Sequence, residues 1–347
     1  MRFFDFLGVR TIKTGVAIFF TALICQLLGL PPVFAVITAI VTLEPTVSDS
    51  IKKGLVRFPA SAIGSAYAVL FIAIFGNSPI TYTLAAVFTI LTCYKLKLHA
   101  GLLVATITAV AMIEVVYDNY FLSFLTRLGT TSIGLIVSIV INMFILPPNY
   151  IEEISDNINK MYKNIGKAAL SIITFDTDST KNKNRLLVNL DRQILKTEEL
   201  IRFQKDEANF HPLVGSIKQD FYVSRKQINR LKLMAYHLTN LKNLSLDKVQ
   251  LTTDEKLLIE NAVESLAEHM IHQTDVDLTA HELTIKRLMQ TFWLNNNVIT
   301  HELTDGHLPN ELILLYEVSA LIQLAYDFDL VKNSIKNKEK AVQNHNN

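Results

Sequence analysis

The sequence predicts an all-α membrane protein with six transmembrane helices, arranged as two three-helix inverted repeats and followed by a cytoplasmic helical bundle. Three observations predict this class. Only 14 of the 65 charged residues lie within the first 148 positions, where apolar runs follow one another. A part of this stretch is repeated at a constant spacing of 70 residues. The second half has ordinary charge density, few glycines and apolar residues at helical spacing.

Six apolar runs predict the six spans. A spanning helix needs about 20 mostly apolar residues, because hydrocarbon cannot satisfy free backbone groups. We assign the spans to residues 14–30, 33–43, 58–75, 80–94, 100–116 and 120–146. The second run is too short to span unless Glu44 enters the membrane zone. The first run follows basic residues, as in a signal peptide, but we interpret it as a retained helix because further apolar runs follow it.

The loop charges orient this bundle. With the N-terminus inside, the cytoplasmic segments of the membrane part hold eight basic residues, namely Arg2, Arg10, Lys13, Lys52, Lys53, Arg57, Lys95 and Lys97. The outer loops near Pro31, Asn77 and Asp118 hold no Lys or Arg, which agrees with the positive-inside rule. We therefore predict a transmembrane domain at 1–149, a cytoplasmic α-helical domain at 150–336 and a disordered tail at 337–347, with both termini in the cytoplasm.

An internal repeat appears when the chain is shifted by 70 residues. Residues 36–44 then align with 106–114, and 55–57 with 125–127, with eight identities between 37–64 and 107–134. Three spans per repeat insert the second copy upside down, which is a common construction of transporters. The repeat also pairs Gly64 with Gly134. We expect both glycines at close helix-packing positions.

Four charged residues at membrane depth are the candidate substrate and proton-coupling residues: Glu44, Arg57, Glu114 and Arg127. The two acids are either helix-end carboxylates that reach interfacial water, or groups that couple protons or pair with the arginine of the same repeat. The two arginines either extend to the interface or bind an anionic carboxylate, for which a planar guanidinium is suited. The predicted repeat places Glu44 and Arg57 near the cytoplasmic face and Glu114 and Arg127 near the outer face.

The remaining chemistry-bearing residues predict no catalytic, cofactor or metal site. Cys25 and Cys93 lie in apolar runs without a CxxC motif, and no hydrolase, nucleotide-binding or metalloprotease motif occurs. His269 and His272, with Glu268, have the spacing of a possible metal site, but solvated surface histidines are the favoured interpretation. A net charge of +1 does not favour nucleic acid as a partner.

Several short motifs carry a resemblance to a known family. They are residues 8–15 (GVRTIKTG), Pro31-Pro32, residues 50–57 (SIKKGLVR), and the sixth span with Arg127, Gly134, Asn142 and Pro147-Pro148. The sequence resembles the bacterial aromatic acid exporter family, in the short Gram-positive branch of the fusaric-acid-resistance-like superfamily. The resemblance implies export of aromatic or other organic anions, and it carries over no substrate residues.

Three functions are compatible with these features. The first is an exporter of small organic acids in the cell membrane, coupled to protons through Glu44 or Glu114. The second is an organic-anion channel, with Arg57 and Arg127 lining an oligomeric pore. The third is a sensor or scaffold, in which the membrane part anchors the helical domain. The lipid bilayer, small organic anions and further copies of the chain in a homo-oligomer are the expected partners.

Overall fold

The computed structural model describes residues 8–115, 119–173, 180–244, 249, 251–273, 278–299 and 309–345. Within these ranges the chain forms twelve α-helices and one 3-10 turn, and no strand. The first six helices are α1 (Val9–Leu27), α2 (Pro32–Thr42), α3 (Val47–Phe75), α4 (Pro79–Lys95), α5 (Leu102–Ile113) and α6 (Tyr120–Phe144). The other six are α7 (Ile151–Ile173), α8 (Thr180–Glu207), α9 (Gly215–Asn243), α10 (Thr253–His272), α11 (Leu278–Ile299) and α12 (Asn310–His345).

The chain divides into two compact units. The first contains the chain up to Asn149 together with residues 203–212, and the second contains 150–202 and the chain from Leu213 onwards. Sequence reasoning placed all of 150–336 in one cytoplasmic domain and missed that 203–212 belong to the first unit. Helix α12 continues to His345, so that most of the tail predicted to be disordered is helical. Its Lys, Glu, Ala and Gln residues favour helix, which explains the difference.

Six helices of the first unit lie where the six apolar runs predict them, but they differ in length. Helices α1, α3 and α6 are long and apolar enough to cross a membrane by length and composition. Helix α2 has 11 residues and α5 has 12, which corresponds to about 17 and 18 Å at 1.5 Å per residue. Both are shorter than the hydrocarbon core of about 30 Å. The outer loop at Asp118 lies outside the described residues.

The repeat spacing of 70 residues relates the helix boundaries themselves. Helix α1 corresponds to α4, α2 to α5 and α3 to α6, with starts that differ from the offset by at most three residues. The packing follows the same rule: α3 packs on α5 as α6 packs on α2, and α1 packs on α2 as α4 packs on α5. Helices α3 and α6 contact each other, where Ser61 Oγ lies 3.4 Å from the hydroxyl of its equivalent, Thr131.

Two glycines allow the equivalent helix crossings. A Cβ atom added at Gly64 would overlap the carbonyl oxygen of Ala105, and one added at Gly134 would overlap that of Ala35. The two contacts are related by the same offset, since Ala35 corresponds to Ala105. Backbones can approach this closely only where no side chain intervenes. The prediction that both glycines are packing positions is confirmed.

The second unit has an apolar core that includes Tyr162 of α7. Its ring stacks on Phe328 of α12 at 4.2 Å between centroids, and its hydroxyl donates to Asp329 Oδ2 at 2.9 Å. Burial and the neighbouring carboxylate raise the pKa of Tyr162, so that the phenol stays protonated. A capping box begins α10, in which Thr252 and Glu255 each bond to the other's backbone.

Candidate substrate site

Arg127 lies in the wall of a cavity in the first unit. The cavity has a volume of about 200 Å³ and is bordered by residues of α2, α5 and α6 and of the loops beside them, namely Pro31, Phe34, Met112, Val115, Leu122, Ser123, Thr126, Arg127 and Thr130. Most of these side chains are apolar, and three carry hydroxyl groups. The cavity lies next to the loops that the charge pattern predicts to be outside.

The guanidinium of Arg127 has fewer partners than its burial demands. The residue is only 4% exposed. Its Nη2 donates to the hydroxyl of Thr108 and weakly to Ser61 Oγ at 3.5 Å. The Nε and Nη1 donors are buried without a hydrogen-bond partner among the described residues. A buried charge without an anionic partner is costly, so this arginine is suited to an anion supplied from outside the chain.

An aromatic ring lies directly against this cation. The guanidinium carbon of Arg127 is 4.2 Å from the centroid of the Phe34 ring. A cation over an aromatic face is stabilised by the ring quadrupole. The same ring borders the cavity, where it contributes apolar surface beside the cation. The arrangement can receive a carboxylate at the arginine and an apolar body alongside it.

The repeat-equivalent arginine, Arg57, is fully paired instead. Its Nη2 donates to Glu44 Oε1 at 2.7 Å, its Nη1 to the carbonyl of Val41 at 2.9 Å and its Nε to that of Ala100 at 3.3 Å. Lys53 adds a second cation on Glu44 at 2.9 Å. We call the contact of Glu44 with Arg57 the inner ion pair. The alternative in which an acid pairs with the arginine of its own repeat therefore holds for Glu44.

The same alternative does not hold for Glu114 in this structure. Glu114 is exposed and accepts a hydrogen bond from the Tyr82 hydroxyl, and the structure does not bring it to Arg127. The two arginines are equivalent in the repeat, but Arg57 is paired with an acid and Arg127 is not paired with one among the described residues. Sequence reasoning found both arginines and both acids, but it missed Phe34 and Tyr82. The ring of Phe34 comes from a residue 93 positions before Arg127, and no local pattern indicates that contact.

A polar network surrounds the linker 43–46 between α2 and α3. Lys13, only 5% exposed, donates to Asn142 Oδ1 at 2.9 Å. The Asn142 amide donates to Ser50 Oγ at 2.9 Å and to the carbonyl of Glu44 at 3.1 Å. Residues from both ends of the membrane part thereby fix the linker that carries Glu44. Lys13 and Asn142 belong to two of the motifs on which the family resemblance rests, and the structure places them in contact.

We next consider the histidines of the second unit as metal ligands, within the part of the chain that the structure describes. No group of three or more His, Cys, Asp or Glu side chains there could hold a metal ion. His269, one of the two histidines with possible metal spacing, instead has its Nε2 at 2.6 Å from Asp329 Oδ2.

Comparison with known proteins identifies relatives of this chain. The profile of aromatic acid exporter family member 1 matches residues 5–145. A UPF0421 protein of Oceanobacillus iheyensis is 43% identical over 96% of this chain and 98% of its own length. Another from Bacillus thuringiensis subsp. konkukian is 37% identical over 99% and 98%, and one from Staphylococcus haemolyticus is 44% identical over 68% and 73%. The profile covers α1 to α6, which contain both arginines, and the relatives extend over both units. Over residues 5–145 the chain belongs to the aromatic acid exporter family, and over its full length it belongs with these UPF0421 proteins of Gram-positive bacteria.

Proposed function

We propose that this protein is a cell-membrane transporter that exports aromatic or other small organic acids and binds their carboxylate at Arg127. One observation carries the proposal. A buried guanidinium, two of whose donors have no partner in the part of the chain that the structure describes, lies against an aromatic ring in the wall of an apolar cavity. A guanidinium offers two parallel N–H groups to a carboxylate, which makes the contact strong and directional. Family membership supports the same class of function.

The size of the cavity favours a single ring. Its volume of about 200 Å³ compares with engineered apolar cavities of about 150 Å³ that bind benzene. A benzoate-like anion therefore matches the space, whereas a two-ring acid requires the walls to move. The hydroxyls of Ser123, Thr126 and Thr130 supply further donors for ring substituents.

The different states of the two arginines support a carrier that alternates between two accessible faces. We propose that the six helices form two inverted repeats, with Arg57 towards the cytoplasm and Arg127 towards the outside. The inner ion pair then neutralises Arg57 and closes the inner side, while Arg127 remains available to an anion. The crossings at Gly64 and Gly134 are equivalent, so that each repeat can in turn take up the arrangement that the other has here.

Proton coupling is proposed to use the two acids, Glu44 and Glu114, each acting on the arginine of its own repeat. When substrate binds Arg57, its carboxylate replaces Glu44, and the released acid takes up a proton more readily in a partly buried position. Glu114 is proposed to act in the same way on Arg127 in the opposite state. Glu44→Gln and Glu114→Gln should therefore weaken the pH dependence of export without abolishing it. Unchanged pH profiles in vesicles would remove both acids from the mechanism.

A vesicle assay tests the proposed function. Purified protein in liposomes should move benzoate-like acids in response to a proton gradient, faster than it moves two-ring acids or short aliphatic acids. Currents driven by voltage and insensitive to the proton gradient would select the channel instead. Equal transport of all acids, or of none above empty liposomes, would contradict the proposed site.

The topology is tested independently of substrate. We expect reporter fusions at Asn77 and Asp118 to be read outside the cell and a fusion at Lys97 inside, because the basic residues collect in the other loops. The measurement compares paired alkaline phosphatase and fluorescent protein fusions at each position. A cytoplasmic signal at Asp118 would show that α5 and α6 do not cross as proposed.

A further inference from the structure

Residues 203–212, which we call the 203–212 segment, are the part of the later chain that belongs to the first unit. Helix α8 ends within the segment at Glu207, and the N–H groups of Phe210 and His211 return to the carbonyl of Glu207, both at 2.9 Å. The segment is thus a tightly closed helix end. None of the functions derived above uses it.

The Glu207 side chain is the segment's anchor. The residue is completely buried, with 0% exposure. Its Oε2 accepts from the backbone N–H of Val47 at 3.1 Å, and its Oε1 lies 2.7 Å from His211 Nδ1. It also interacts electrostatically with Lys13. A buried carboxylate is tolerated when it has such partners, and its removal takes the acceptor away from the buried Val47 N–H.

The contact at Val47 connects the segment to the inner ion pair. Val47 is the first residue of α3 and follows directly on the linker 43–46, which carries Glu44. Ser50, in the first turn of α3, accepts from the backbone N–H of Glu44 at 3.1 Å. A negative charge at a helix N-terminus is favourable because it lies against the positive end of the helix dipole. At the equivalent start of α6 the N-cap side chain of Asn119 accepts from the Leu122 N–H at 3.1 Å. Thr46 caps α3 in the same way, accepting from the Asp49 N–H at 3.0 Å, and Glu207 adds a further acceptor there.

We propose that the 203–212 segment controls the inner face of the transporter: Glu207 holds the linker 43–46 in the conformation in which Glu44 neutralises Arg57. Glu207 is a positioning residue, since it acts through the linker and does not touch substrate. While it is bound at Val47 the inner side stays closed, and its withdrawal opens the path to Arg57. The proposal rests on the proposed transport function and gives the second half of the chain a role in it.

Two variants remove the contact from its two sides. Glu207→Ala removes the acceptor. Val47→Pro removes the donor while leaving Glu207 unchanged, and proline is favoured at the first position of a helix. Thr46 already has the extended backbone, with φ −123° and ψ 155°, that a residue before proline prefers. Glu199→Gln, on the exposed part of the same helix, is the matched control.

The readout is cysteine labelling with a membrane-impermeant maleimide, on the full chain in which Cys25 and Cys93 are replaced by alanine. Ser48→Cys reports on the inner side, because Ser48 lies in the first turn of α3 and is only 7% exposed. Ser123→Cys, in the cavity, reports on the outer side. In Glu207→Ala and in Val47→Pro we expect labelling about tenfold faster at position 48 from the inside and slower at position 123 from the outside.

The labelling rates of the two single variants, the double variant and the control together test the proposal. The double variant should label like either single variant, because both remove one contact, and Glu199→Gln should label like the parent. Unchanged labelling in both single variants would overturn the proposal. So would faster labelling at both reporters, which indicates loosening of the fold and not a shift between two states. Labelling needs no substrate, so this result is separate from a failure of the transport assay.

Discussion

Replacing Arg127 with methionine is expected to lower organic acid export about 100-fold or more while leaving the protein folded. The variant removes the Nε and Nη1 donors that we assign to the substrate carboxylate, which have no partner among the described residues. Two charge-assisted hydrogen bonds contribute enough for a loss of this size. Arg127→Lys keeps the charge but not the planar fork, so we expect a loss of about tenfold. Initial rates in liposomes, normalised to reconstituted protein, measure both.

The stability of these variants separates a substrate site from a structural one. Without substrate, Arg127 is a buried cation to which no acid among the described residues is paired, so Arg127→Met should leave the thermal midpoint unchanged or raise it. Arg57→Met at the equivalent position breaks the inner ion pair and leaves Glu44 without its buried partner, and the midpoint should fall. A lower thermal midpoint is thus predicted for Arg57→Met and not for Arg127→Met. A similar loss of stability in both variants would contradict the assignment of Arg127 to substrate.

A substrate should also stabilise the parent and not the Arg127→Met variant. A ligand that binds the folded state raises its stability in proportion to the logarithm of its concentration over Kd. Benzoate and benzyl alcohol form a matched pair for this measurement, because they share the ring and differ in the carboxylate. Stabilisation of the parent by benzoate alone is expected, and stabilisation by both would indicate that the cavity recognises only the ring.

The membrane part could be predicted from the sequence because its signals are local or periodic. Runs of apolar residues place six helices, and a fixed offset of 70 relates Arg57 to Arg127 and Gly64 to Gly134. Helix lengths were less predictable. Residue 43 ends an apolar run of 11 residues, and the linker 43–46 is held by Ser50 and Asn142, contacts that hydropathy does not encode.

What could not be predicted depends on contacts between distant residues. The ring of Phe34 under Arg127 requires α2 to pack on α6, and the hydrogen bond of Glu114 requires Tyr82 of α4 nearby. The 203–212 segment is the clearest case. Its residues are as polar as their neighbours in the second half, and their packing with the first unit, which includes the burial of Glu207 at Val47, has no local signal in the sequence.

Gly64→Ala and Gly134→Ala are expected to be the most destabilising small substitutions in the first unit. The added methyl group at either position meets a backbone carbonyl of the crossing helix, which no rotamer change can move away. Overpacking of this kind costs about 3 kcal/mol, at the upper end of the usual range. Because the two crossings are repeat equivalents, the two variants should lose similar stability. Thermal unfolding in detergent, followed by fluorescence-detected size exclusion, measures the loss.

Two other glycines of the same helices are the matched controls. A Cβ at Gly129 of α6 meets nothing within 4 Å, and one at Gly54 of α3 makes only ordinary contact with Leu135 at 3.6 Å. Alanine at Gly129 should stabilise its helix slightly, by about 0.5–1 kcal/mol, through its lower conformational entropy in the unfolded chain. Equal losses at 64 and 134 with no loss at 54 and 129 would fit two repeats that cross in the same way. A large loss at only one crossing would show that the halves have diverged in packing, and an exchange of conformations between them would then lack its structural basis.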